Sequence, residues 1–251
     1  MIFLPIVERE LREAARRHGT YTVRLVVALV AIVIGFFFFV ANLRTPPQLL
    51  AHRIFEGLSV LALLYCLVAG RRSTADCLSG EKREGTLGLL FLTELKGYDV
   101  VLGKLAATSL NAFFGLVAMF PVLAVPLVMG GITNGEFWRM VLVLVNTFLF
   151  SLAIGIFTSV LSWDARRAMG ANFLWLLLLG AALPACAGAI AYFSPSHRFV
   201  PELLFCCPVY SFYLSFDTHY VWGKGNFWWS IGVVQAMTWL LVAAASWLVP
   251  G

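Results

Sequence analysis

Long apolar stretches recur along this chain, and they restrict its fold more than any other feature does. Six of them, at about 21–41, 54–70, 104–130, 137–162, 169–193 and 227–248, approach or exceed the roughly 20 residues that a membrane-spanning helix needs. They leave no segment near the roughly 50 residues of a small soluble domain. The sequence therefore predicts an all-α integral membrane protein, with a six-span domain over residues 21–251.

Residues 1–20 form a separate amphipathic segment before the first span. Leu4, Val7 and Leu11 share one face of a predicted helix, whereas Arg12 and Arg16 lie on the other face. A helix with an apolar face and a basic face lies in the plane of a membrane surface. We therefore expect an interfacial elbow helix at residues 1–20, and a solvated charged tail is the alternative.

Basic residues are unevenly divided between the two sides of the predicted topology. If the N-terminus is cytoplasmic, thirteen of the eighteen Lys and Arg residues are inside, and five are outside, namely Arg44, Arg53, Arg139, Arg198 and Lys224. Because basic residues resist translocation, this bias predicts cytoplasmic N- and C-termini. Topology and anionic membrane lipid account for the net charge of +5, and we expect no nucleic-acid partner.

Few polar side chains lie deep within the predicted spans. No Asp, Glu, Lys, Arg or His is near the centre of a span, where ion-coupled carriers usually place such residues. The four histidines lie outside the spans and form no HExxH motif, which disfavours intramembrane catalysis. Asn111, Asn146 and Gln235 remain, either as hydrogen-bonding residues between helices or as contacts along a substrate pathway.

The longest charged stretch after the N-terminus is the predicted cytoplasmic loop at 71–103. Near its end, Gly97 and Gly103-Lys104 resemble a phosphate-binding loop, but five residues separate the glycines where four are needed. Leu105 also replaces the Ser or Thr that would hold magnesium. We therefore predict no nucleotide, metal or other cofactor on this chain, and no catalytic residues.

The middle of this loop has the composition of a docking element. Glu81 to Glu84 form a solvated turn, Gly85 allows a bend, and Thr86 can cap a short helix. Leu87 and Leu90 then share one side of that helix. An apolar patch in an aqueous loop predicts a protein partner, and packing against the chain's own helices is the alternative.

The same segment carries a family resemblance. The run Ser79-Gly80-Glu81-Lys82-Arg83-Glu84-Gly85-Thr86-Leu87, followed by Leu89-Leu90 and Val101-Leu102-Gly103-Lys104, resembles the signature of type-2 ABC transporter permeases. Glu10-Leu11-Arg12-Glu13 is similar to the elbow of that family. Six spans with a large outer loop, here 194–226 and re-entrant-like, match its architecture.

The resemblance implies a permease subunit of an ATP-driven exporter, integral to a prokaryotic cytoplasmic (inner) membrane. A separate ABC ATPase subunit would hydrolyse ATP, and a second permease chain, identical or different, would complete the pathway. Two rival hypotheses are a non-transporting membrane scaffold and a self-contained secondary carrier or channel. The residues implied in ATPase coupling are Glu81, Arg83, Glu84, Gly85, Thr86, Leu87, Leu90, Asp164 and Arg166.

Overall fold

The computed structural model describes residues 19–42, 44–74, 97–162, 170–186 without 172 and 176, and 201–248. Within these ranges the regular structure is helical, and no strand occurs. The helices are α1 (Gly19–Ala41), α2 (Pro47–Thr74), α3 (Gly97–Leu123), α4 (Val125–Val128), α5 (Asn134–Leu161), α6 (Pro208–Ser215) and α7 (Asp217–Leu248). A π-helix occupies Leu178–Ala182 and a 3₁₀-helix occupies Pro201–Leu204.

The prediction of an all-helical chain with membrane-length helices is confirmed for the described residues. Five stretches are long and apolar enough to cross a membrane: Arg24–Ala41, Pro47–Gly70, Val101–Val128, Asn134–Leu161 and Asp217–Leu248. The predicted span at 169–193 is described in part. Its described residues between 170 and 186 are helical around the π-helix.

Local sequence sets where several of these helices begin. Thr133 is the N-cap of α5, and its hydroxyl accepts the Glu136 N–H at 3.1 Å. This satisfies one of the backbone donors left free in a first helical turn. Proline opens α2 and α6, where its fixed φ suits a helix start. Gly130 has a φ of 75°, a left-handed conformation that suits the turn before α5.

Helix α5 is the centre of the described bundle. In an apolar window of 18 residues within α5, 72% of the residues are buried, against 6% in the corresponding window of α1. Its most extensive contacts are with α2 and α7. Any movement of α2 or α7 therefore acts on α5. Most of the apolar surface of α1 is exposed in the described structure.

Helices α2, α5 and α7 run parallel to one another. Thr133 before α5 bonds to Asp217 at the start of α7, and further along Asn146 bonds to Ile231. On the other side, Ser151 of α5 bonds to Leu67 near the end of α2. We call the end of the bundle where these helices begin the outer end, following the predicted topology, and the opposite end the inner end.

Two helices begin earlier than the sequence pattern indicates. Helix α2 begins at Pro47 rather than near 54, and α7 begins at Asp217 rather than near 227. Gly223 and its polar neighbours read as a loop, yet only Gly223 departs from helical geometry, with φ −122° and ψ 26°. Leu214 of α6 packs so close that a Cβ at Gly223 would come within 2.9 Å of it. Tertiary packing thus carries α7 through a sequence that is weakly helical by itself.

Candidate functional site

The predicted ATPase-coupling residues lie outside the described residues. Segment 75–96 contains Glu81, Arg83, Glu84, Gly85, Thr86, Leu87 and Leu90, and segment 163–169 contains Asp164 and Arg166. The elbow helix predicted at 1–20 lies almost wholly within the undescribed residues 1–18. We call residues 75–96 the coupling segment, after the predicted role. The structure describes the helix that ends before this segment, α2, and the helix that begins after it, α3.

The end of α2, just before the coupling segment, is fixed on α5. Thr74 is fully buried, and its hydroxyl lies 2.9 Å from the Gly70 carbonyl and 3.3 Å from the Leu152 carbonyl of α5. Ser151 donates to the Leu67 carbonyl at 3.0 Å. Gly70 lies so near that a Cβ there would be 2.6 Å from the Ser151 hydroxyl. Small residues thus let the two backbones approach closely, as is common between membrane helices.

The beginning of α3, just after the coupling segment, is also anchored at the inner end. Val101 is fully buried in an apolar cluster with residues of α5 and α7. The members contributed by those two helices are Ala153, Ile156, Val160, Val242 and Ala245. The described residues on both sides of segment 75–96 therefore contact the inner half of α5.

The three candidate pathway residues lie on three different helices. Asn146 of α5 is buried, and its Nδ2 donates to the Ile231 carbonyl of α7 at 3.3 Å. Gln235 follows Ile231 by about one turn of α7 and is half-buried. Asn111 lies half-buried on α3, beside Ala112, whose carbonyl accepts a hydrogen bond from Tyr65. The observed bond of Asn146 joins two helices, and its Oδ1 has no donor among the described residues.

A polar cluster at the outer end was not predicted. We call it the outer anchor and define it as Thr133, Glu136 and Arg139 of the α5 end together with Ser215, Asp217 and Tyr220. Arg139 donates from Nε to the Ser215 carbonyl at 3.2 Å and from its guanidinium to the Asp217 carboxylate. The same guanidinium lies 3.9 Å from the centre of the Tyr220 ring. One side chain of α5 therefore holds three points around the α6–α7 turn.

The carboxylate of Asp217 has a second partner in the outer anchor. The Thr133 hydroxyl donates to its Oδ2 at 2.6 Å, while accepting the Glu136 N–H. Glu136 is 2% exposed and accepts a backbone hydrogen bond from Asp217. Its Oε1 has no donor among the described residues. A buried carboxylate oxygen without a donor is energetically costly, so this oxygen is a notable feature of the site.

Aromatic residues enclose the outer anchor. Phe216, in the turn between α6 and α7, meets the rings of His52, Phe55 and Phe212 edge-on at 6.5, 6.2 and 5.4 Å. His52 is also 3.4 Å from Glu56 on α2. The ion pair of the outer anchor therefore lies beside a cluster of rings around Phe216, and we call the Phe216 side chain the aromatic plug. In the described part of the chain, no group of three or more His, Cys, Asp or Glu residues is arranged to hold a metal ion.

Two titratable groups at the start of α6, Cys207 and Tyr210, have raised pKa values. Burial raises the pKa of the Cys207 thiol, against the opposing effect of backbone hydrogen bonds from Tyr210 and Val209. Burial also raises the pKa of Tyr210, whose hydrogen bond with Asn226 acts in the other direction. The packing of α6 against the bundle thus disfavours the ionised form of both groups.

Two signals in the sequence could have pointed to the outer anchor. Thr133 and Glu136 have the spacing of a helix-capping pair, and Arg139 is a basic residue near the end of a span. Their partners at the end of α6 and the start of α7 are separated from them by 76 to 84 positions. Such pairings depend on the parallel arrangement of α5 and α7, which local sequence does not reveal.

Comparison with known proteins identifies no relative of this chain. No protein-family model matches it, and a search of the curated proteins finds no similar sequence. Evidence on function therefore comes from the residues of the chain, from their geometry, and from the resemblance of the 79–104 segment.

Proposed function

We propose that this chain is the membrane-spanning permease subunit of an ATP-driven ABC transporter, with export as its direction. In this proposal the chain has no catalytic activity, and a separate ATPase subunit hydrolyses ATP. A second permease chain, identical or different, completes the translocation pathway. The 79–104 signature segment carries the proposal, because it combines the family resemblance with a charged turn and an apolar patch.

The attachment of that segment supports a role in coupling. The helices before and after residues 75–96 contact α5 at the inner end, through Thr74 of α2 and through Val101 of α3, which belongs to the signature. In the proposed mechanism, closure of the ATPase on ATP pushes the short helix that bears Leu87 and Leu90. The flanks of α2 and α3 pass this displacement to α5, and α5 passes it to α7 through their long interface.

The parallel course of α5 and α7 supports a sixth membrane crossing. Both helices begin at the outer end, where Thr133 and Arg139 contact Asp217. The chain must therefore return from the inner end to the outer end between residues 162 and 216. The helical residues from 170 to 186 lie in that interval and form part of the predicted span at 169–193. This return crossing would bring the number of spans to six.

Exposed apolar surface on two helices is consistent with a second permease chain. Helix α1 exposes Leu25, Phe36 and Phe37 by 65% or more of their surface. Helix α7 likewise exposes Trp229 and Leu240, each at 68%. Membrane lipid covers such surfaces where no protein does, so we propose that lipid and the partner permease share them.

Purification of the complex from native membranes tests the proposal. The tagged chain is extracted in mild detergent, and its partners are identified by mass spectrometry and assayed for vanadate-sensitive ATPase activity. We expect an ABC ATPase in stoichiometric amount. The double variant Leu87→Asp/Leu90→Asp should lose most of it, because burying an unpaired carboxylate in an apolar contact costs several kcal/mol.

Two further sets of variants sharpen this test. Leu89→Asp adds one carboxylate on the opposite side of the predicted short helix, and it should retain the ATPase, whereas Leu87→Asp alone and Leu90→Asp alone should each weaken the association. Glu81→Ala and Glu84→Ala should weaken association from the polar side of the element. A complex without any ATPase, or full transport by the chain alone in proteoliposomes, would favour the scaffold or the secondary carrier instead.

A further inference from the structure

The outer anchor has one guanidinium and two carboxylates within reach of it. We propose that Arg139 exchanges its ion-pair partner between Asp217 and Glu136, and that this exchange releases α6 and the α6–α7 turn from α5. The described structure is then the closed state, with Arg139 on Asp217. This inference concerns how α6 is held, and it does not depend on the proposed function.

In the closed state, Arg139 holds the α6–α7 turn at several points. It bonds to the Ser215 carbonyl and to the Asp217 carboxylate, and it lies over the Tyr220 ring. The side chain of Arg139 is 16% exposed, so these interactions are only weakly screened by water. Removing the charge of Asp217 should therefore weaken the attachment of the whole turn.

Glu136 is placed to receive Arg139 when that attachment breaks. It precedes Arg139 by three residues on α5, a spacing that brings two side chains together on one helix face. In the closed state its Oε1 is buried without a donor in the described structure, although the carboxyl group still accepts the Asp217 N–H. Pairing with Arg139 would supply the missing donor. The closed state therefore leaves unsatisfied a group that the open state satisfies.

The proposed movement involves α6 and the α6–α7 turn, and a kink in α7 at Gly223 can act as its hinge. Gly223 interrupts the helical geometry of α7, and Leu214 of α6 packs directly against it. Between the hinge and α6, Phe216 fits among the rings of Phe55 and Phe212. Rotation about Gly223 would withdraw this plug and expose the buried face of α6. The exchange would thus open the outer end of the bundle.

The thiol of Cys207 reports such an opening, because it is fully buried immediately before α6. The experiment uses a variant in which Cys207 is the remaining cysteine, with Cys66, Cys77, Cys186 and Cys206 replaced by Ser. The full chain in lipid nanodiscs is treated with a water-soluble maleimide, and the labelling rate is measured by mass spectrometry. Thermal unfolding and gel filtration verify that each variant is folded.

Two substitutions should shift the labelling rate in opposite directions. Asp217→Asn removes the charge that binds Arg139 in the closed state, and it should raise the rate at least about tenfold, the effect of losing one charge-assisted hydrogen bond. Glu136→Gln keeps the acceptor for the Asp217 N–H but removes the open-state partner. It should lower the rate at least about threefold. Arg44→Gln removes an exposed charge in the turn before α2, away from the outer anchor, and should leave the rate unchanged.

Because the two substitutions should change the labelling rate in opposite directions, partial unfolding cannot explain both results. Partial unfolding speeds labelling in any variant, so it cannot produce the slower rate expected for Glu136→Gln. A Glu136→Gln rate equal to or above that of the parent would overturn the exchange and make Glu136 a structural residue. An unchanged rate in Asp217→Asn would equally refute the role of Arg139 as the latch.

Discussion

At the scale of single residues, Gly70 determines how closely α2 can approach α5. A Cβ at this position would lie 2.6 Å from the Ser151 hydroxyl and 3.0 Å from the backbone nitrogen of Leu152. The Ser151 side chain can rotate only by breaking its bond to the Leu67 carbonyl, and the backbone of buried α5 cannot yield easily. The methyl group that every other residue would add is therefore excluded here.

We predict that Gly70→Ala destabilises the protein by about 1–3 kcal/mol, the usual cost of overpacking a close contact. Thermal unfolding in nanodiscs would show this as a lower midpoint, and transport or ATPase coupling should fall because the flank of the coupling segment is displaced.

The matched control for this substitution is Gly232→Ala on α7. Nothing lies within 4 Å of a Cβ at Gly232, so the substitution should be neutral or slightly stabilising through its higher helix propensity. Equal melting temperatures for Gly70→Ala and the unmodified protein would contradict the close packing of α2 on α5.

At the scale of the elements, the adjacent thiols at the start of α6 test how firmly that helix is packed. Cys207 is fully buried and Cys206 is half-buried. Burial raises the pKa of Cys207 above the 9.0 of an ordinary thiol, so little of its reactive thiolate exists near neutral pH. We predict that a single-cysteine protein with Cys207 is alkylated at least about tenfold more slowly than one with Cys206 at pH 7.5.

The pH dependence provides a second measurement on the same two proteins. Because the folded-state pKa of Cys207 is raised, its labelling rate should continue to increase as the pH passes 9. In denaturant the two thiols should react at similar rates. Similar rates in the native protein at pH 7.5 would mean that α6 is not seated on the bundle as described.

The helices themselves were predictable from sequence, because a run of about 20 apolar residues has few alternatives to a spanning helix. Their ends were less predictable. The early start of α7 depends on Leu214 of α6 packing beside Gly223, a contact that no local pattern reveals. The cap at Thr133 was readable in principle, since its partner Glu136 follows at capping distance.

The candidate functional residues also differ in how readily the sequence reveals them. The 79–104 segment stands out in sequence because charge is rare in a chain with 12% charged residues. The outer anchor does not stand out, since Arg139 and Asp217 are 78 positions apart and resemble ordinary charges at the ends of helices. Their pairing follows from the parallel course of α5 and α7, which is a property of the folded bundle.

At the scale of the whole molecule, the parallel course of α2, α5 and α7 links the positive-inside bias to the three-dimensional structure. Helix α2 runs from the outer anchor, near His52, to Thr74 at the inner end, from which the chain continues toward the 79–104 segment. The excess of basic residues predicts that the segment is cytoplasmic. Orientation can therefore be measured with one probe on each side.

We predict that a cysteine at Gly88 is labelled only from the cytoplasmic side and that a cysteine at Thr218 is labelled only from outside. Thr218 is exposed beside Asp217, so a thiol there is accessible without disturbing the hydrogen bonds of the outer anchor. The measurement uses a cysteine-free parent, a membrane-impermeant maleimide, and intact cells compared with inverted vesicles. Labelling of both positions from one side would contradict the parallel bundle, and a reversed pattern would invert the orientation and place the 79–104 segment beyond the reach of a cytoplasmic ATPase.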